Sequence, residues 1–298
     1  MNPKLKKLFS HVPQVKRLLS YQTVWGPGHY YSPIPDLDKA LDYSQMQVDQ
    51  LLPIQGIDLR DDSQLGLLHE LASFMNSSLF TNTEKVTSHR FYNMNGIYGF
   101  SDALYLEAMI RHVKPAQIIE VGSGHTSALM LDIREKYFNH RLSLSFIEPY
   151  PERLFQLLSE DDKKKARLFI QPLQTVAIEL FKELNPNDIL FIDSSHVAKT
   201  GSDLLYLFFE ILPVLKEGVY IHFHDLFNNF EYMPWHFKTY KGFAWNEAYF
   251  LRAFLMYNPK FQVELYSQYL EIKFRNKVQS LVPSYPFGTG AQLWIRKI

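Results

Sequence analysis

The chain of 298 residues is 46% apolar and 21% charged, and its 31 basic residues equal its 31 acidic ones. This is the balance of a folded globular protein, and the lack of excess positive charge argues against a nucleic acid partner. The sequence has no cysteine, which excludes disulfide bonds, thiolate metal ligands and cysteine nucleophiles. No apolar run is long and continuous enough to span a bilayer. We therefore expect a cytoplasmic protein with no transmembrane segment.

The N-terminal part of the chain differs from the rest in its composition and residue pattern. It begins with a basic, partly amphipathic stretch, "MNPKLKKLFSHVPQVKRLLS", for which we expect a surface helix packed on its own domain. A loop rich in glycine and proline, "GPGHYYSPIPD", and a stretch of helical spacing, "LGLLHELASFM", follow. These features predict a helical and loop extension over residues 1–85 and a separate domain over residues 86–298.

From residue 117 onward, short apolar and β-branched runs alternate with segments of helical spacing. Such alternation predicts an α/β fold, a mostly parallel sheet with helices on both faces. Two further β-like runs, "FQVELYS" and "AQLWIRKI", come late in the chain. The predicted strands of the alternating region are Gln117–Val121, Leu142–Glu148, Arg167–Gln171, Asp188–Asp193 and Gly218–His224, and the predicted helices are Ser127–Tyr137, Glu152–Leu158, Val176–Leu184 and Ser202–Leu215.

The stretch "QIIEVGSGHTSA" joins the first predicted strand to the first helix. Gly122 and Gly124 let the backbone turn tightly and approach a ligand. A dinucleotide site prefers a third glycine where Ser127 stands, and the charge of Glu120 would repel a pyrophosphate. The same charge suits the ammonium and sulfonium groups of S-adenosylmethionine (SAM). The turn therefore favours SAM, with a nicotinamide cofactor as the alternative.

The next two strand ends carry further candidates for cofactor contacts. Glu148 ends the second strand, where a carboxylate can accept hydrogen bonds from ribose hydroxyls of either SAM or NAD. The stretch "QPLQT" follows the third strand, and there either Gln171 or Leu173 could lie along an adenine edge. We expect Glu148 and Gln171 to contact the nucleoside part of the cofactor.

Acidic and histidine side chains follow the fourth and fifth strands. Asp193 and His196 come after the fourth, and His224 and Asp225 close the fifth. Because the carboxyl ends of parallel strands meet at one edge of a sheet, these side chains should form a single site. An unperturbed imidazole titrates near neutral pH, so His196 is the candidate general base.

The chain resembles the class I SAM-dependent methyltransferases, and among them the bacterial group called methyltransferase family 24. The resemblance extends from about residue 90 to the C-terminus, and residues 1–85 lie outside it. The motifs that carry it are "YNMNGIYGFSDALYLEAMIRHVKP", "IIEVGSGHTS", "FIEPY", "DILFIDSSHVAKTGSDL", "GVYIHFHDLF" and "WNEAYFLRAFLMYN".

The resemblance implies a Rossmann-like sheet of seven strands, mostly parallel, with helices on both faces and an antiparallel last strand. It also implies a divalent metal, Mg²⁺ or Mn²⁺, on Asp193, Asp225 and His224, although His224-Asp225 stands where catechol-type enzymes have Asp-Asn. Asp193 would also sit beside the methyl group and act in catalysis. The residues that would hold the methionine part of SAM are Glu120, Gly122, Ser123 and Gly124, with Glu148 on the ribose. Thr126 is a further candidate for contact with the cofactor.

The resulting expectation is a SAM-dependent enzyme that O-methylates a small hydroxylated acceptor, such as a sugar-containing compound, with help from Asp193 and His196. Two alternatives stay open: an NAD(P)-dependent oxidoreductase, and a domain that binds SAM without turning it over. The sequence leaves open the acceptor itself, the choice between oxygen and nitrogen, and the oligomeric state.

Overall fold

The computed structural model describes residues 25–48, 50–240 and 243–298. The basic stretch at the start of the chain, for which a surface helix was predicted, lies outside the described residues. Among the residues that the structure describes, no helix is both long and apolar enough to cross a membrane.

Seven strands form a single sheet in the order β3-β2-β1-β4-β5-β7-β6. β1 to β5 pair in parallel, and β7 runs antiparallel to both of its neighbours. The predicted seven-stranded, mostly parallel sheet with an antiparallel last strand is confirmed. The strands are β1 (Gln117–Val121), β2 (Ser143–Ile147), β3 (Arg167–Phe169), β4 (Ile189–Ile192), β5 (Tyr220–His224), β6 (Phe261–Tyr266) and β7 (Gln292–Lys297).

Helices precede, connect and follow these strands. Short 3₁₀ turns cover Leu173–Thr175 and Asn228–Phe230, and a π turn, Leu207–Ile211, separates two α-helical segments. The α-helices are α1 (Leu37–Gln47), α2 (Asp61–Asn76), α3 (Phe100–Val113), α4 (His125–Phe138), α5 (Glu152–Leu157), α6 (Glu160–Lys165), α7 (Glu179–Lys182), α8 (Asp203–Tyr206), α9 (Leu212–Val214), α10 (Pro234–Thr239), α11 (Glu247–Leu255), α12 (Ser267–Lys273) and α13 (Arg275–Leu281).

The described chain divides into two units. The smaller one contains residues 25–46 and Met233–Ala244, and thus α10 and all of α1 except its last residue. The larger one contains Gln47–Tyr232 and Trp245–Ile298, and with them the whole sheet. In the larger unit, α2 contributes Leu68 and Leu71 to the same apolar core as the sheet. The domain boundary at residue 85 stays a prediction.

The register of the central strands brings their carboxyl ends level. Val121 of β1 pairs with Ile147 of β2 on one side and with Ile192 of β4 on the other. Ile192 pairs in turn with Phe223 of β5. Most residues of these strands are apolar because helices cover both faces of a parallel sheet. The residues that follow the paired positions therefore stand side by side at one edge: Gly122, Glu148, Asp193 and His224.

The helix α3, which the sequence did not predict, is buried from Ser101 through Ile110. Small and apolar residues lie on all sides of this helix, so the sequence shows no amphipathic pattern that would predict it. It packs against α2 and α4, and a left-handed Lys114 ends it. Its first turn carries Asp102, a buried acid that reaches the carboxyl edge of the sheet.

A network of charged side chains, here called the Arg90 cluster, ties the segment before α3 to two helices. Arg90 pairs with Asp132 and Glu135 of α4 at 2.8 and 2.6 Å and with Asp162 of α6 at 2.8 Å. Asp132 also accepts the backbone N–H groups of Arg90 and Phe91. The cluster thus fixes three elements that are distant in sequence.

Candidate active site

The glycine-rich turn after β1 is built around Gly122, whose φ of 79° lies in the left-handed region. A Cβ at this position would stand 1.7 Å from the carbonyl oxygen of Asp193. The N–H of Gly122 donates to the carbonyl of Ile147 at 3.0 Å. Only glycine fits a backbone that passes this close to the end of β4.

Glu120 lies beneath this turn and is fully buried. Its carboxyl accepts hydrogen bonds from the hydroxyls of Thr126 and Ser127. Burial is the main cause that raises the pKa of Glu120 to about 8, and these hydrogen bonds oppose the rise. Glu120 lines neither of the cavities described below, whereas Thr126 lines one of them. Their predicted contacts with SAM stay predictions.

Two cavities of 490 and 280 Å³ meet at the carboxyl edge of the sheet. They share Gly122, Glu148, Asp193 and Ser194. We call the larger one the Glu148 cavity and the smaller one the histidine cavity. The Glu148 cavity is also lined by Tyr150, Leu173, Gln174 and Lys199, and the histidine cavity by Tyr98, Ser123, Gly124, Arg153, His196, His224, Asp225 and Trp245.

Glu148 connects the glycine turn to the end of β2. Its two carboxylate oxygens accept the backbone N–H groups of Ser123 at 3.0 Å and Tyr150 at 2.8 Å. Gln171, by contrast, donates its amide to the carbonyl of Thr175 at 3.1 Å and does not line the Glu148 cavity. Its neighbours Leu173 and Gln174 line the cavity in its place, so the predicted adenine contact of Gln171 has no support from the geometry.

Four side chains from the ends of β4 and β5 converge in what we call the acid–histidine cluster. Nε2 of His196 lies 3.3 Å from Oδ1 of Asp193 and 3.8 Å from Oδ2 of Asp225. Nδ1 of His224 lies 3.4 and 3.7 Å from the same two oxygens. The structure thus brings together all four residues that the sequence placed at this edge.

His196 is held by an acid from another element. Its Nδ1 lies 2.5 Å from Oε2 of Glu247, the buried first residue of α11, and its ring packs 4.2 Å from the ring of Trp245. Burial lowers the pKa of His196, but attraction to Glu247 and hydrogen bonds to Asp193 and Glu247 outweigh it and raise the pKa to about 10. The unperturbed imidazole on which the general-base prediction rested is therefore not found.

His224 has an equivalent partner on its far side. Its Nε2 lies 3.3 Å from Oδ2 of Asp102, and the other oxygen of Asp102 accepts the amide of Gln292 at 2.7 Å. Burial lowers the pKa of His224, but attraction to Asp225 and Asp193 raises it well above its ordinary value. The two histidines are therefore oriented in the same way, each by a buried carboxylate behind its ring.

Three contributors to this site had no predicted role. Asp102 lies on the helix that was not predicted, and Trp245 and Glu247 belong to the motif "WNEAYFLRAFLMYN", to which no site role was assigned. Glu247 occupies the first position of α11. No pattern in the sequence could have linked it to His196, 51 residues earlier.

A Rossmann-like sheet with a glycine turn and acidic strand ends at one edge defines a class I SAM-dependent methyltransferase. The profile of a family described as "Methyltransferase domain" matches residues 119–226, a span that includes all four members of the acid–histidine cluster. A protein of Archaeoglobus fulgidus, described as uncharacterized, is 32% identical over 171 residues, which are 56% of this chain and 76% of that protein. The chain belongs to methyltransferase family 24, and the predicted class and family are confirmed.

Two solved structures are also similar. A Podospora anserina methyltransferase, PaMTH1, crystallised with S-adenosylhomocysteine (SAH), is 14% identical with a TM-score of 0.46 over 93% of this chain and 100% of its own. A Klebsiella pneumoniae protein described as a putative O-methyltransferase is 14% identical with a TM-score of 0.41 over 88% and 98% of the two chains. Both scores lie below 0.5, a similarity too loose to transfer a substrate.

Proposed function

We propose that this enzyme transfers the methyl group of SAM to a hydroxyl of a small acceptor, with the cofactor in the Glu148 cavity and the acceptor in the histidine cavity. The observation that carries the proposal is the junction of the two cavities, where Gly122 and Asp193 line both. A methyl group at this junction would face the acid–histidine cluster.

The residues of the Glu148 cavity suit an adenosine. Glu148 stands at the end of β2, where its carboxylate can accept the ribose hydroxyls, and Leu173 offers an apolar surface for the base. Arg153 lines the histidine cavity next to Ser123, and it forms no salt bridge in the described ranges. We assign it to the carboxylate of the methionine part, because a guanidinium binds a carboxylate through two parallel hydrogen bonds.

The histidine cavity suits a compact, hydroxylated acceptor. At 280 Å³ it is small, and it combines the aromatic ring of Trp245 with the acids Asp193 and Asp225. Carboxylates accept hydrogen bonds from hydroxyls, and an aromatic ring can pack against the apolar face of a sugar. A sugar-containing compound fits this combination better than a large apolar one.

The acid–histidine cluster also fits a divalent cation. Nδ1 of His224 is buried without a hydrogen-bond partner, and it faces the carboxylates of Asp193 and Asp225. These three residues, with His196, would hold the ion. When bound, such an ion polarises the acceptor hydroxyl and lowers its pKa. Metal assistance is therefore part of the proposed function.

The chemical step needs alignment, exclusion of water and a place for one proton. The acceptor oxygen forms a bond to the methyl carbon while the carbon–sulfur bond of SAM breaks, which leaves neutral SAH. We assign the released proton to Asp225, whose carboxylate lines the acceptor cavity. His196, whose Nδ1 is held by Glu247, would face the ion with its Nε2 in this proposal and does not act as a free base.

The proposal is tested by titrating the purified protein with SAH and, in parallel, with NADH, by isothermal titration calorimetry. We expect SAH to bind at micromolar concentration and NADH not to bind. Binding of NADH alone would support the oxidoreductase and overturn the methyltransfer proposal.

Turnover is then measured with methyl-labelled SAM and a panel of sugars, catechols, hydroxy acids and amines, before and after chelation. Labelling of a hydroxyl compound supports O-methylation, and labelling of amines alone overturns it. SAH binding without transfer to any acceptor of the panel would instead favour a domain that binds SAM without turnover.

A further inference from the structure

We propose that the acid–histidine cluster is a site with two nitrogen and two oxygen donors that prefers a first-row transition-metal ion over Mg²⁺, with Asp102 and Glu247 as positioning residues of its two histidines. This inference rests on the proposed function, because the same cavity would receive the acceptor. It goes further by naming the kind of metal and two residues outside the cluster that determine its binding.

The separations between each histidine nitrogen and the two carboxylate oxygens are close to those between ligands of one metal ion. The four His–Asp distances lie between 3.3 and 3.8 Å. Ligands held tetrahedrally at about 2.0–2.1 Å from a metal are about 3.3–3.4 Å apart. Donor atoms of Asp193, His196 and Asp225 all lie within 4.8 Å of one another. Nδ1 of His224 stands outside that set, so the two ring nitrogens would have to move closer together when a metal binds.

Both histidines turn a ring nitrogen toward the same point because a carboxylate occupies the opposite nitrogen. Glu247 accepts from Nδ1 of His196, so Nε2 is the nitrogen that faces the cluster. Asp102 accepts from Nε2 of His224, so Nδ1 is the nitrogen that faces it. Metal binding would displace the protons from these two nitrogens. A carboxylate behind the imidazole is the usual second partner of a metal-binding histidine, since it fixes the tautomer and increases the basicity of the ligand.

These positioning acids are themselves held firmly. Asp102 and Glu247 are 2% and 1% exposed, and they come from helices on different parts of the chain. A Cβ on Gly290 would lie 2.4 Å from the carboxyl group of Asp102, so the glycine provides the room for this acid. Gln292 fixes the other oxygen of Asp102. Burying two carboxylates costs free energy unless each has a partner, and here each faces a histidine.

The unpartnered nitrogen supplies independent support. His224 is 5% exposed, and its Nδ1 has no hydrogen-bond partner. Buried polar atoms are nearly always paired, and an exception points to a missing ligand or ion. This nitrogen points between the two carboxylates, which is where a cation would complete its bonding.

The donor chemistry determines the preference for one metal over another. Mg²⁺ binds oxygen ligands in near-octahedral geometry and keeps several waters. Imidazole nitrogens instead suit Fe²⁺, Ni²⁺, Cu²⁺ and Zn²⁺, and the affinity of a given site generally rises from Mn²⁺ through Fe²⁺, Co²⁺ and Ni²⁺ to Cu²⁺. Because two of the four donors are nitrogen, Mg²⁺ should bind to this site more weakly than a first-row transition-metal ion does.

The test titrates the full chain, freed of metal by chelation, with MnCl₂ and with MgCl₂ in a calorimeter. We expect one Mn²⁺ per chain with an affinity at least about tenfold higher than that for Mg²⁺. Pulsed electron paramagnetic resonance of the bound Mn²⁺ should show coupling to nitrogen. Equal affinities for the two ions, no saturable Mn²⁺ binding, or no nitrogen coupling would each overturn the proposal.

The positioning role is tested with Asp102→Asn and Glu247→Gln, and Glu271→Gln serves as a matched control because Glu271 is a buried acid on α12. Each test variant should weaken Mn²⁺ binding about 10–100-fold, and the control should not. Unchanged affinity in both folded test variants contradicts the assignment. If one variant fails to fold, the other variant and the wild-type titrations still test the proposal.

The fates of the two proposals can be separated by titrating SAH into the same metal-free samples. Binding of SAH without a preference for Mn²⁺ would overturn the metal proposal and support the methyltransferase proposal. Binding of Mn²⁺ without SAH would do the reverse.

Discussion

The Arg90 cluster and the acid–histidine cluster both hold buried charges, yet they differ in how completely those charges are paired. All five side-chain N–H groups of Arg90 donate to carboxylate oxygens, which is the whole donor capacity of a guanidinium. In the other cluster, Nδ1 of His224 has no hydrogen-bond partner, and its neighbours line a cavity. A cluster whose hydrogen-bonding groups are all paired stabilises the fold, whereas a cluster beside a cavity with an unpaired group can still bind a ligand.

The strongest test of this contrast is Arg90→Met, which should lower the free energy of unfolding by about 3–5 kcal/mol, because it leaves buried carboxylates without their cation. Denaturant unfolding measures the loss. The control Arg167→Met removes an exposed pair with Glu183 and should cost no more than about 1 kcal/mol. SAH affinity of the folded Arg90 variant should change less than about threefold, since the cluster lies outside both cavities. A loss of stability equal to the control would contradict the structural role.

Glu120 extends the comparison, because it is a buried acid under the site whose oxygens accept hydrogen bonds from two hydroxyls and not from a cation. Its pKa of about 8 in the folded protein exceeds that of an unfolded glutamate, so the folded state binds the extra proton between these values. Its contribution to stability is therefore fully present at low pH and is lost as the pH rises toward 8.

Glu120→Gln should remove this dependence and, relative to wild type, gain about 3 kcal/mol of stability between pH 5 and pH 8.5. Thermal melts of both proteins across this range measure the difference, and Glu152→Gln, on the exposed start of α5, is the control. A difference that stays constant with pH means that Glu120 is ionised in the folded protein.

Asp193→Asn tests whether the open cluster contributes to catalysis more than to stability. The change keeps the shape of the side chain and removes the charge that both histidines face. We expect turnover of the best acceptor in the panel to fall about 10²-fold or more. The free energy of unfolding should fall less than in Arg90→Met, because Asp225 still faces both histidines. Asp161→Asn, on an exposed face of α6, should affect neither. If Asp193→Asn unfolds the protein as Arg90→Met does, the contrast between the clusters fails.

The smallest expected effect belongs to Glu148→Gln. An amide has one acceptor oxygen where the carboxylate has two, and the wild-type oxygens already accept two backbone N–H groups. SAH affinity measured by calorimetry should fall about tenfold, roughly the value of one charge-assisted hydrogen bond. Unchanged affinity would remove Glu148 from the ribose contact, and the Glu152→Gln protein again provides the reference.

The sequence predicted the central strands closely because each is an apolar run covered on both faces. β1 spans Gln117–Val121 as predicted. β2 and β4 are one residue shorter at each end than predicted, and β5 begins two residues later and ends at His224 as predicted. β3 is shorter than predicted and ends at Phe169, so Gln171 falls beyond it and bonds to its own loop. The pattern of apolar residues does not show at which residue such a strand ends.

By itself, the sequence determined the parallel sheet, the glycine turn and the set of acids and histidines at its carboxyl edge, because these follow from local patterns and strand direction. Only the tertiary structure decided which carboxylate stands behind which histidine. Asp102 meets His224 across 122 residues and Glu247 meets His196 across 51. The raised pKa of His196 follows from these contacts and from burial, since neighbours in space, and not in sequence, fix the charge of a buried group.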